Sequence, residues 1–158
     1  MTADPAITAE TTIARLTHWV RQRPNSLEFW ELVLTDERLL WCFVGESFRS
    51  LLLRADVGER DRAAVAELSP DDIIAFDDRN FAVSLEALDE LRLVTGTRLR
   101  RARLVVRWQT SDATERDDRT LYRARTAAPQ RMAVTALESD SRLADVDVTV
   151  ETPRFPRL

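Results

Sequence analysis

FWELVLTDERLLWCFVG, residues 29–45, holds two apolar runs joined by the polar Thr35-Asp36-Glu37-Arg38. Each run suits a strand, and the break between them is turn-like, so the stretch reads as a β-hairpin. The first arm, roughly 28–35, turns Trp30, Leu32 and Leu34 one way, with Glu28, Glu31 and Val33 breaking the pattern mildly. The second, roughly 38–45, is apolar on both faces: Leu39, Trp41 and Phe43 against Leu40, Cys42 and Val44. A strand of that kind is covered on both sides, by an opposed sheet and by a helix.

Upstream, Asp4-Pro5 has the form of a helix entry, with Asp as cap and Pro at the first position. Ile13, Leu16, Trp19 and Val20 follow at helical spacing, which predicts an N-terminal helix over 5–22. Downstream, residues 46–68 carry little pattern, although Phe48, Leu51 and Leu52 suggest a return to the core. Ser69-Pro70-Asp71-Asp72 is a strong helix start, with a cap, a first-position Pro and acids in the first turn. Phe81–Val83, a bend at 84–87, and a strand near 88–95 come next. Residues 101–109 alternate cleanly, Ala102, Leu104, Val106 and Trp108 against Arg101, Arg103, Arg107 and Gln109. A strand over 120–125, a helix opened by Pro129 and carrying Met132, Ala136 and Leu137, and a last strand through Val146, Val148 and Val150 complete the order.

At 158 residues the chain is most economically one domain, 1–152, with a tail over 153–158. The single cysteine, Cys42, excludes an internal disulfide and fits a reducing cytoplasm. No apolar run is long enough to span a bilayer. All 23 basic residues are Arg and the net charge is −4, a composition that points to a GC-rich, salt-adapted source.

Residues 32–44 (LVLTDERLLWCFV) and 73–94 (IIAFDDRNFAVSLEALDELRLV) resemble the prokaryotic pleckstrin-homology-like (PH-like) domains. The likeness rests on a strand running into a Thr-Asp-x-Arg-Leu turn, here Thr35, Asp36, Arg38 and Leu39. It rests also on the strand Phe81–Val83, which bends into the Leu-rich Leu85, Leu88, Leu91 and Leu93. It implies an α+β domain: a bent antiparallel sheet, or partly open barrel, with N-terminal and C-terminal helices and no shared catalytic residue. No basic cluster occupies the first hairpin turn, so phosphoinositide binding carries over to no residue here.

Catalytic chemistry has little to stand on. His18 is the only histidine and is expected on the polar side of the first helix. Without partners it makes neither a zinc site nor a nucleophile–base pair. Asp145 and Asp147 share a strand face but read more plainly as the solvated side of an edge. Three scattered glycines exclude a phosphate-cradling loop. No cofactor, metal or catalytic residue is expected.

One patch remains. Arg101, Arg103 and Arg107 share a strand face, and Arg123 and Arg125 are expected to join it from a neighbouring strand, with Arg98 and Arg100 at the turn. Arg forks match carboxylates and phosphates, so the patch fits a non-catalytic module gripping a protein partner or an anionic membrane surface. Nucleic acid fits poorly, because the chain is acidic. The plainer reading is a solvated face whose arginines pair with Glu90 and other acids. A rival from another class is a small-molecule binder or enzyme with a pocket lined by Trp19, Trp30, Trp41 and Trp108. Homo-oligomerisation through an exposed strand edge is a third reading.

Overall fold

The computed structural model describes residues 10–48, 59–97, 100–110, 115–123 and 128–152. Among these residues eight strands form one mixed, open sheet beside three α-helices. The first three are β1 (Thr12–Gln22), β2 (Ser26–Thr35) and β3 (Arg38–Phe48). Helices α1 (Glu59–Ala66) and α2 (Pro70–Phe76) follow. Then come β4 (Phe81–Ser84), β5 (Leu88–Val94), β6 (Arg103–Gln109) and β7 (Arg116–Arg123). Helix α3 (Ala128–Glu138) and β8 (Asp147–Glu151) close the order. Across the sheet the strands run β4-β3-β2-β1-β7-β6-β5-β8.

The hairpin forms as its residues dictate. In its turn the Thr35 hydroxyl accepts the amides of Glu37 and Arg38 at 3.1 and 3.0 Å. Arg38 is forked between Glu10 and Asp71, each at 2.7 Å. Both faces of β3 are buried. Leu39, Trp41 and Phe43 enter the inner core. Leu40, Cys42 and Val44 pack outward beneath Val65 of α1 and Ile73 of α2. Helix α2 starts where its sequence signals place it, with the Ser69 hydroxyl accepting the Asp72 amide.

The sheet is strongly bent. Trp41 on β3 and Trp108 on β6 stand four strands apart in the order, about 19 Å in a flat sheet. Their rings are nevertheless 5.5 Å apart, so the two halves fold onto each other. Phe81 stacks on Trp41 and Trp30 meets it edge-on at 5.8 Å. Such pairs add about 0.5–1.5 kcal/mol each beyond their burial. The guanidinium of Arg119 lies over Trp30, Trp41 and Phe81 at 4.7–5.3 Å, a cation on the rim of an aromatic cluster. The four indoles are thus buried in the core.

Four sequence expectations change. Within the expected N-terminal helix, Thr12–Gln22 is instead strand β1; positions 5–9 lie outside the described residues. The reason is a β-bulge between Leu16 and Trp19, where His18 takes φ 61°. An extra residue in a strand shifts the alternation, so Leu16 and Trp19 both face inward at a spacing that imitates a helix turn. The sheet is not wholly antiparallel either, because β8 runs parallel to β5 after the chain has crossed through α3. Phe48 is 56% exposed rather than returning to the core, and Leu51 and Leu52 lie outside the described residues. On α3 the inward residues are Val134 and Leu137, while Met132 is 77% exposed.

Candidate functional site

Cross-strand register determines which arginines meet. Arg103 on β6 stands opposite Tyr122 on β7, so even-numbered β7 residues share the outer face with odd-numbered β6 residues. Arg123 therefore falls on the inner face, against expectation. It is 5% exposed, with its guanidinium 5.7 Å from the Trp19 ring. Arg125 and Arg98 lie outside the described residues. Arg107 keeps to the outer face but takes the plainer role, pairing with Glu90 at 3.8 Å. Of the expected patch, Arg101 and Arg103 are brought together, and Arg100 joins them.

These three line a cavity of about 620 Å³ at the seam where the two halves of the sheet join. Among the described residues β1 and β7 pair through Trp19–Arg123 and Val20–Tyr122. Following the register across the outer face gives Val20, Tyr122, Arg103 and Val94 on four successive strands. Leu27 and Gln22 extend the row on the β1–β2 side, and all six line the cavity. Val20 and Val94 are buried and form its floor, while Arg100, Arg101 and Arg103 are exposed and form its rim. No lining residue among those described is acidic. Nor do the three guanidinium groups have an acidic partner among the described residues.

A tight return holds the rim. The Thr97 amide donates to the Arg100 carbonyl at 2.8 Å, and the Arg123 amide donates to the Ala102 carbonyl at 2.9 Å. Gly96 faces this return so closely that a Cβ would stand 2.8 Å from the Ala102 nitrogen and 3.0 Å from the Arg100 oxygen. Backbone is on both sides, so Gly96→Ala must displace the 100–102 segment. Overpacking of this kind costs about 1–3 kcal/mol. The expected result is a lowered unfolding midpoint in urea, with amide chemical-shift changes concentrated at Arg100–Ala102.

A second constellation has no counterpart in the sequence reading. Glu31 sits on the outer face of β2 at 4% exposure. Its Oε2 accepts the His18 amide at 2.7 Å, and its Oε1 lies 2.8 Å from Arg62 Nε of α1. The β1 bulge leaves two amides without ladder partners, and side chains take both. Glu31 receives His18, while Oε1 of Gln130 on α3 receives Thr17 at 2.9 Å and the Trp19 indole at 3.0 Å. His18 is accordingly half-buried at an irregularity, not on the polar side of a helix. Burial pushes the Glu31 carboxyl up to about 7, outweighing Arg62 and the His18 amide, which pull it down. The signal in the sequence was a lone acid inside an apolar strand. Cys42, the cross-strand neighbour of Glu31, is buried as expected, and burial followed by the Glu31 charge pushes its thiol up to about 12.

No protein-family model and no curated protein matches this sequence. Among solved structures, the chain is similar to the hSac2 domain from human phosphoinositide phosphatase Sac2. The TM-score is 0.52 at 8% identity, over 99% of this chain and 82% of that one. A likeness at that identity is one of fold alone.

Proposed function

We propose that this chain is a PH-like, non-catalytic binding module that grips an anionic group of its partner in the seam cavity. The observation that carries the reading is the rim of Arg100, Arg101 and Arg103. These are three guanidinium groups without acidic partners among the described residues, around a cavity with no acid among its described lining residues, in a chain of net charge −4. Arg107, Arg38 and Arg92, by contrast, each have an acidic partner. Guanidinium forks match carboxylate and phosphate oxygens, and each charge-assisted bond contributes about 1.5–3 kcal/mol. The PH-like part of the reading is supported by the strand order, in which one four-stranded and one three-stranded meander meet at β1–β7, with a helix after β7. A cytoplasmic setting accords with the unpaired Cys42. No helix among the described residues is long and apolar enough to cross a membrane.

The test is a charge reversal. Arg101→Glu with Arg103→Glu alters exposed side chains that have no ion pair among the described residues, so the thermal midpoint is expected to stay near wild type. Affinity for anionic ligands, measured by calorimetry with inorganic phosphate and short carboxylates at low salt, is expected to fall by about tenfold or more. Equal affinity in wild type and variant would remove the reading.

A further inference from the structure

We infer that the seam cavity is built for a single-chain amphiphilic anion, an alkyl carboxylate or alkyl phosphate, rather than for a bare ion. This deepens the proposed function and rests on it. At about 620 Å³ the cavity has the size of a small-molecule site and far exceeds what one carboxylate or phosphate group fills. Its chemistry is graded. The floor is apolar, Val20 at 3% and Val94 at 9% exposure, with Leu27 and the Tyr122 ring half-buried beside them. The rim is cationic and exposed. A bare anion would satisfy the arginines and leave the apolar floor wet. A neutral apolar ligand would cover the floor and leave three charges unanswered. A molecule with an anionic head and one alkyl chain answers both, with the head at Arg100, Arg101 and Arg103 and the chain over Val20 and Val94.

The cavity lies at the β1–β7 junction. Among the described residues two pairs join the halves of the sheet, and the outer face opens into the cavity beside them. Elsewhere the outer face of β1–β3 is covered by α1 and α2, whose buried residues Val65 and Ile73 pack on it. Neither helix contributes a described residue to the cavity lining.

The experiment is a chain-length series on the intact chain, by calorimetry, with acetate, hexanoate, octanoate and decanoate below their micelle-forming concentrations. Inorganic phosphate, decanol and decyltrimethylammonium serve as controls. Each buried methylene is worth about 0.8 kcal/mol, so affinity is expected to rise about fourfold per methylene until the floor is covered. Arg101→Gln with Arg103→Gln is expected to reduce decanoate to the affinity of decanol. Leu27→Ser is expected to flatten the chain-length slope while leaving acetate unchanged. If phosphate, acetate and decanoate bind alike and all depend on the arginines, the site takes bare anions, and this inference falls while the proposed function stands. If no anion binds in an arginine-dependent way, both fall. If decanol and decyltrimethylammonium bind as decanoate does, the contact is unspecific adsorption and the inference is overturned. Binding only to phosphatidylcholine vesicles containing phosphatidylglycerol, with none to decanoate, would overturn the single-chain assignment in favour of a bilayer surface.

Discussion

Replacing Asn80 with leucine lowers the unfolding free energy by about 2–6 kcal/mol, since it leaves two buried backbone groups without partners at about 1–3 kcal/mol each. Asn80 precedes β4, and its side chain does the work of a missing strand residue. The pairing of β3 with β4 runs from Arg38 to Trp41 and stops there. Beyond it, the Phe43 amide donates to Asn80 Oδ1 at 2.7 Å, so one side chain extends the ladder. The other end of the amide, Nδ2, donates to the Ile73 carbonyl of α2 at 2.8 Å, which ties that helix to the sheet. Leucine has nearly the same bulk but neither group. Urea denaturation checks this: the midpoint falls while the slope stays that of wild type. Asn80→Asp retains an acceptor for Phe43 and loses the donor to Ile73, so it is expected to fall between the two. A loss below about 1 kcal/mol for the leucine variant would mean that the two backbone groups find other partners.

The second large effect is in the pH dependence of stability. The Glu31 carboxyl has its ordinary value of 4.5 in the unfolded chain and about 7 in the folded one, so the folded state holds this proton more tightly. A group raised in this way contributes stability that is fully present below pH 4.5 and is lost as pH rises to 7, after which the loss is complete. The total is about 3 kcal/mol, since each unit of difference is worth 1.36 kcal/mol. Its neighbours are Arg62 from α1, Arg123 from β7, His18 from β1 and Cys42 from β3. Glu31→Gln keeps an oxygen for the His18 amide and has no proton to lose. The stability of wild type minus that of the variant is therefore expected to decline between pH 4.5 and 7 and to level off above. A difference that is flat across that range would show that Glu31 titrates alike in the folded and unfolded chain.

Local chemistry was readable wherever an element's own residues decide it. The β2–β3 hairpin, the Ser69-capped α2, the alternating β6 and the α3 helix beginning near Pro129 all follow from spacing, turns and caps, and all are present. The reading of β1 failed for an instructive reason. Thr11, Thr12, Ile13, Thr17 and Val20 are β-branched and favour a strand, but the bulge at His18 gives Leu16 and Trp19 a helical spacing. A bulge is a tertiary feature here, held by Glu31 and Gln130, which lie 13 and 113 residues from the amides they accept.

The same division runs through the candidate site. That Arg103 and Arg107 face solvent on one side of β6 was set by period-two alternation, a property of the local chain. That Arg123 lies on the opposite face, stacked near Trp19, was decided by the register between β6 and β7, a pairing that no single segment encodes. The seam cavity belongs wholly to the assembled sheet, because its wall is made of residues from β1, β2, β5, β6 and β7. Which side a residue faces follows from its neighbours in the chain. What it faces depends on distant strands coming to rest beside it, and that is settled by the burial of the whole core.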